Sequence, residues 1–216
     1  MNKKYDGLLL ASGGMDSTVL AYDLANKKQN IIILFIDYGQ HCKEKEYATL
    51  KRMLPKQFVD NIEIIKISDI YKYSESRMIK EANLWKDEVK AEDLYLPYRN
   101  LLFLSAASAF AQSLGIKTVY SAFINSNHAK EIDCSLKFFT ELEALLKEYG
   151  SVEIKFPFRD LTKYDVAKKG LELGIAIDET YSCQVNSKAP CGVCPNCVDR
   201  LNAINKLFEN SNYDKY

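Results

Sequence analysis

Ser12-Gly13-Gly14-Met15-Asp16-Ser17 is the stretch on which the reading of this chain turns. It follows the apolar run Gly7-Leu8-Leu9-Leu10-Ala11 and leads into Thr18-Val19-Leu20-Ala21-Tyr22-Asp23-Leu24. That order predicts a buried strand, a tight glycine turn and a helix. Such a turn aims backbone N–H groups and the positive end of a helix at one spot, which suits an anion such as phosphate. Adjacent glycines let the backbone approach that anion closely, and Ser12 and Ser17 add hydroxyl donors. Asp16 places a carboxylate where phosphate should sit, which makes sense if a metal ion such as Mg²⁺ lies between them. The competing reading is a plain strand-to-helix turn with Asp16 as a helix N-terminal residue. No Gly-Lys-Ser/Thr follows, so this is not the nucleoside-triphosphate P-loop, and the dinucleotide pattern G-x-G-x-x-G is absent too.

The pattern S-G-G-x-D-S resembles the pyrophosphate loop of enzymes that split ATP between its α and β phosphates. Strand and helix patterns alternate away from it. Ile31 to Ile36 is a continuous run, mostly β-branched, as expected of a strand buried on both faces. Further strands are expected at Ile62–Ile67, Lys117–Phe123 and Val152–Phe156. Helices are expected over about 43–53, 100–114, 131–149, 162–173 and 196–209, with Thr162 as an N-cap and Gly115 and Gly174 as stops. Residues 68–97 are charged and tyrosine-rich, and read as a partly helical excursion or flap; the polar tail from Asn210 reads as frayed. The expectation is an α/β fold: a doubly wound, mainly parallel five-stranded sheet with a C-terminal four-cysteine appendage. A boundary is expected near residue 180, between an ATP-binding domain over 1–180 and a zinc segment with its helix over 181–216. Ligands of such sheets bind at the carboxyl ends of the strands.

The 216 residues allow one large domain and a small appendage. Lys plus Arg and Asp plus Glu are both 29, so no overall basic field argues for nucleic-acid binding. No apolar stretch approaches the ~18 residues that span a bilayer, and the chain reads as a cytoplasmic protein. Cys42 and Cys134 stand alone, while Cys183-x7-Cys191-x2-Cys194-x2-Cys197 clusters. Four thiolates on short loops suit a closed tetrahedral Zn²⁺ with a structural role. An iron–sulfur cluster is the rival, and free or disulfide-bonded cysteines a third reading.

Other residues carry two readings each. Asp37-Tyr38-Gly39-Gln40, after the second strand, offers a nucleotide contact or a strand-end turn with Asp37 capping the next helix. Arg99, at a helix start, opposes the dipole unless it serves an anion, or else faces solvent with Asn100 as the N-cap. Lys163 follows the same logic, against a solvated lysine. His41 and His128 lack metal-ligand spacing, and Asp133-Cys134 is either a reactive pair or an ordinary acid beside a buried thiol.

Taken in order, the loop, the Asp-Tyr-Gly-Gln turn, the start Arg99-Asn100-Leu101-Leu102-Phe103-Leu104-Ser105 and the cysteine cluster resemble the 7-cyano-7-deazaguanine synthase family, often called QueC. Thr162-Lys163 through Gly174 and Thr180-Tyr181-Ser182-Cys183 are similar to it as well. The resemblance implies an ATP-dependent ligase that adenylates 7-carboxy-7-deazaguanine, releases pyrophosphate, and uses ammonia to reach an amide and then the nitrile, in the queuosine pathway. It also implies a structural zinc near the substrate pocket and a homodimer. On this basis the expected catalytic side chains are Asp16, Arg99 and Lys163. The expected nucleotide contacts are Ser12, Gly13, Gly14, Asp16, Ser17, Asp37 and Tyr38, with Mg²⁺, and the expected zinc ligands are Cys183, Cys191, Cys194 and Cys197.

The chain departs from the family pattern in places. Pro97-Tyr98-Arg99-Asn100 stands for Pro-Gly-Arg-Asn, His41-Cys42 follows Gln40 where Arg-His is usual, and most of the stretch Ala122–Ser135 differs. That stretch should line the acceptor pocket. It motivates a second version, in which the activated deazapurine is joined to an amine of a protein or peptide, as in antiviral operons. tRNA sulfuration and a catalytically dead nucleotide-binding partner are further readings; zero net charge weighs against the first and the intact loop against the second.

Overall fold

Leu8 to Leu10 and Ile31 to Ile36 are buried on both sides, so their alternation divides between two layers rather than between core and water. The computed structural model describes residues 5–83, 89–124, 134–185 and 188–213. Within them run β1 (Gly7–Leu10), α1 (Met15–Asn26), β2 (Ile31–Asp37), α2 (Lys43–Met53), β3 (Ile62–Lys66), α3 (Arg99–Ser113), β4 (Thr118–Ser121), α4 (Leu136–Tyr149), β5 (Glu153–Lys155), α5 (Lys163–Glu172) and α6 (Pro195–Tyr213). The five strands form one sheet in the order β3-β2-β1-β4-β5, and every pairing is parallel. Leu9, Ile31, Ile33 and Phe35 point into a core shared with α1, α5 and α6. Leu8, Ile32, Leu34 and Ile36 point into the opposite core, with Leu104, Ala107 and Phe139 of α3 and α4. The strand order reverses between β1 and β4, so the loops that follow these two strands part and leave a crevice at the carboxyl edge.

Helix ends follow local chemistry. Thr162 caps α5 through a reciprocal box with Asp165, and Gly115 and Gly174 adopt φ +72 after α3 and α5. The excursion is partly helical, as expected, but only in short turns. Its described part holds short 3-10 turns at Ser68–Ile70 and Ala91–Leu94 and no α-helix. Nor is it a free flap: Tyr71, Met78 and Leu96 are buried in the core beside α3, and Arg77 N–H donates to the Asp93 carbonyl at 2.7 Å. Apolar anchors spaced irregularly through a charged stretch leave no period to read. The α4 helix begins at Leu136, capped by the Ser135 hydroxyl, and α6 runs on through Tyr213, so the polar tail is helical for four residues more than expected. His128 and Asp133 lie outside the described residues. Among the described residues no helix is long and apolar enough to cross a membrane.

The N-cap of α3 is Tyr98, not Asn100, and it is left-handed at φ 56, ψ 22. The left-handed region costs an L-residue about 1–2 kcal/mol, and glycine nothing. Tyr98 is 74% exposed, so its ring returns little packing. Tyr98→Gly, the residue usual in the resembled family, is expected to raise stability by about 1 kcal/mol, or about 2–4 °C by calorimetry. A lowered melting temperature would show that the ring contributes contacts worth more than the strain.

Candidate active site

The glycine loop forms because its residues cannot do otherwise. Gly13 sits at φ +79, and a Cβ there would lie 2.7 Å from the Glu46 carbonyl and the Leu50 nitrogen, both backbone atoms of α2. Any side chain would clash with α2 and strain the turn. Ser17 Oγ donates to the Gly14 carbonyl at 3.2 Å and accepts from the Ser12 N–H at 3.4 Å, closing the loop over the start of α1. Ser12 is exposed and Asp16 half-buried at the rim.

Lys163, at the first position of α5, reaches Asp16 from 147 residues away: Nζ donates to Oδ2 at 2.6 Å. Both side chains are a little over a quarter exposed. The other oxygen, Oδ1, is buried and has no hydrogen-bond partner among the described residues. An orphaned carboxylate oxygen beside a phosphate-type loop fits a divalent cation such as Mg²⁺. Arg99 at the start of α3 lines the same cleft, as do Tyr38, Asn100, Ser121 and Phe123. Asn100 is buried and donates to the Cys134 sulfur at 2.7 Å. Outward, an open chamber of about 660 Å³ continues between Arg99, Lys163, Cys134 and the α6 face carrying Asn196, Asp199 and Lys206. That volume is in the range of small-molecule sites.

The two residues of the Asp37-Tyr38 pair separate. Tyr38 lines the cleft, its ring buried against Tyr71 and Phe103. Asp37 is spent on the turn: Oδ1 accepts from the Gly39 N–H at 3.1 Å and Oδ2 pairs with Lys43 at 3.2 Å.

Three residues of the cleft escape sequence reasoning. Ser121 is fully buried at the end of β4, with its hydroxyl unpartnered among the described residues. Gln184 enters from the cysteine segment. Glu46 is a buried acid in the first turn of α2, where surface helices routinely carry glutamate, so nothing in the pattern marks it. Gln40 donates to it at 3.1 Å. Burial pushes its carboxyl from the ordinary 4.5 up to about 6, against the Gln40 and Cys42 hydrogen bonds and the Arg99 charge, which all favour the anion. Native Glu46 therefore holds its proton more tightly than the unfolded chain does between those values. Its contribution to stability falls as pH rises through that window, by about 2 kcal/mol in all. Glu46→Gln is expected to remove that slope and to be the more stable protein at pH 7. Urea melts of both proteins from pH 4 to 7 test this; parallel curves would sink it.

The four clustered cysteines form a second centre. Their sulfurs all lie within 4.8 Å of one another. A tetrahedral ion with bonds near 2.3 Å would need about 3.8 Å between sulfurs, and Cys191 and Cys197 stand at 3.9 Å. Backbone N–H groups of Cys191 and Cys194 approach the Cys183 and Cys191 sulfurs at 3.5 and 3.3 Å. The donor set is soft, nearly buried and complete, and it fits a zinc ion. The segment is anchored beside it by the buried Arg200, whose guanidinium donates to the carbonyls of Ile177 and Asp178 and to the Thr180 hydroxyl.

A parallel sheet with a glycine loop at its reversal point, and a four-thiol knuckle on one flank, defines a doubly wound α/β protein. The family model described as queuosine biosynthesis protein QueC matches residues 6–208. A 7-cyano-7-deazaguanine synthase of Aquifex aeolicus is 32% identical over 220 residues, covering 95% of this chain and 100% of its own. One from Porphyromonas gingivalis is 32% identical over 94% of each chain. Among solved structures, NMN synthetase from Francisella tularensis superposes with a TM-score of 0.46 at 14% identity, over 98% of this chain and 87% of its own. The chain belongs to the QueC family, as its motifs in sequence suggested.

Proposed function

We propose that this protein is a 7-cyano-7-deazaguanine synthase, which converts 7-carboxy-7-deazaguanine to the nitrile with ammonia and ATP. The observation that carries the reading is the Asp16–Lys163 pair, joined at the mouth of the glycine loop and faced by Arg99. In the first step the substrate carboxylate attacks the α-phosphorus of ATP, and the bond to pyrophosphate breaks. The N–H groups of residues 13–17 and the Ser12 hydroxyl hold the leaving pyrophosphate, the Ser17 hydroxyl keeps the loop closed on the Gly14 carbonyl, and Arg99 and Lys163 offset the charge. Mg²⁺, when bound at Asp16, would neutralise phosphate oxygens. Ammonia then attacks the acyl carbon, and AMP leaves to give the amide. The amide oxygen then attacks the α-phosphorus of a second ATP, releasing pyrophosphate and one N–H proton; loss of AMP and the second N–H proton forms the carbon–nitrogen triple bond. The apolar walls of Phe35, Phe103 and Phe123 keep out water that would compete with ammonia. Of the nucleotide contacts expected from the sequence, we retain Ser12, Gly13, Gly14, Asp16, Ser17 and Tyr38, and give Asp37 the role of shaping the turn that presents Tyr38. Zinc on the four cysteines holds the C-terminal segment. The working state we propose is a cytoplasmic homodimer.

The altered stretch Ala122–Ser135, of which Ala122, Phe123, Ile124 and Cys134 line the open outer chamber, favours a second reading: the same adenylation, with an amine of a protein or peptide as acceptor. A pyrophosphate-release assay with Mg-ATP and 7-carboxy-7-deazaguanine, with and without ammonium and with products weighed by mass spectrometry, separates the two. Nitrile is the expected product. Adenylate or amide that never becomes nitrile would favour the second reading, and no substrate-dependent release would sink both.

A further inference from the structure

We propose that the metal-binding segment is a wall of the nucleotide site, so that metal occupancy and triphosphate binding are thermodynamically coupled. This rests on the reading that the glycine loop binds ATP. The contacts are specific. The Tyr181 N–H donates to the Gly13 carbonyl at 3.3 Å. A Cβ on Gly14 would meet Ser182 Oγ at 3.7 Å and the Tyr181 carbonyl at 3.8 Å. The loop is thus clamped between α2 on one side and residues 181–182 on the other. Tyr181 itself is buried with Cys42, Cys183, Val185, Cys194 and Cys197, so its ring belongs to the metal centre while its backbone touches the loop.

On the other side of the ligand Cys183, Gln184 lines the cleft. Its carbonyl accepts from the His41 ring at 3.1 Å, and its side-chain oxygen accepts from Asn196, which lies between ligands Cys194 and Cys197. Among the described residues no helix or strand lies between Glu179 and Pro195. Arg200 holds the beginning of that stretch at Thr180. Beyond it, beside the hydrogen bonds of Gln184, an ion joining Cys183 to the other three thiols would tether residues 181–184 against the loop. Without the ion these residues gain freedom, and binding the triphosphate must order them again.

The stripped protein is therefore expected to bind a non-hydrolysable ATP analogue with Mg²⁺ at least about fivefold more weakly than the zinc-loaded protein. Linkage requires the converse, a zinc affinity raised by the same factor when the analogue is bound. The experiment uses the full chain, loaded with zinc or stripped by a chelator, with folding checked by far-UV circular dichroism. The analogue is titrated by calorimetry into both forms, and again after zinc is restored. Zinc affinity of the loaded protein is then measured by competition with a chromophoric chelator, with and without saturating analogue. Weaker binding by the folded stripped protein, reversed by zinc, is the expected result. Equal affinity overturns the coupling. If stripping unfolds the chain, the competition decides: an unchanged zinc affinity overturns the proposal. If the loaded protein binds no analogue, the ATP reading itself fails and the coupling falls with it.

Discussion

Asp16→Ala is expected to lower substrate-dependent pyrophosphate release by on the order of 10³-fold while hardly changing the fold. The contrast follows from the geometry. One Asp16 oxygen pairs with Lys163 where both side chains are part-exposed, and such pairs contribute less than about 1 kcal/mol. The other oxygen is buried without a partner among the described residues, so removing it forfeits no hydrogen bond seen there. A favourable charge in the first turn of α1 is lost, at about 0.3–1 kcal/mol. Melting should shift by no more than about 4 °C. Lys163→Met breaks the same pair but keeps the carboxylate, and is expected to cost about 10²-fold. Turnover by Asp16→Ala within tenfold of the parent would give the loop a purely architectural role. A collapse of melting temperature in step with activity would do the same.

Cys194→Ser is expected to release the metal and lower the melting temperature by about 10 °C or more. Cys194 is fully buried, and serine nearly matches its shape, so packing alone would change little. The hydroxyl is a far poorer ligand than thiolate, and binding energy at a structural zinc is folding energy. A loss of about 4 kcal/mol corresponds to roughly that shift for a chain of this length. Metal analysis beside calorimetry checks it. A variant that melts with the parent would show that the segment is held by Arg200 and apolar packing alone. The absorption spectrum of the parent separates zinc, which is colourless, from an iron–sulfur cluster.

The local geometry of the candidate site was legible in the sequence where residues act through neighbours in the chain. Ser12 to Ser17 closes on itself, and the four cysteines span so few residues that short turns bring them together. Both can be read because the chemistry needs no distant partner. The reading thinned where partners come from afar. Lys163 looks like any lysine after an N-cap, and only the close packing of α5 against α1 carries it to Asp16. Glu46 looks like a surface glutamate; burial and the nearby Arg99 set its proton affinity. Asp37 stood at a plausible position for a ligand contact, but Lys43 and Gly39 engage it at short range. Tyr98 hid a left-handed residue that only the backbone reveals.

The sequence by itself determined the parallel α/β architecture, the glycine loop, the thiol knuckle and the family. Each is encoded in local periodicity or in ligands a few residues apart, where backbone geometry leaves few alternatives. The tertiary structure alone decided which charges meet at the loop, how the excursion packs against α3, and that the metal segment presses on Gly13. Those contacts join residues as far apart in the chain as Gly13 and Tyr181. No local pattern records them, because the free energy that forms them comes from burying faces of separate helices on a common sheet.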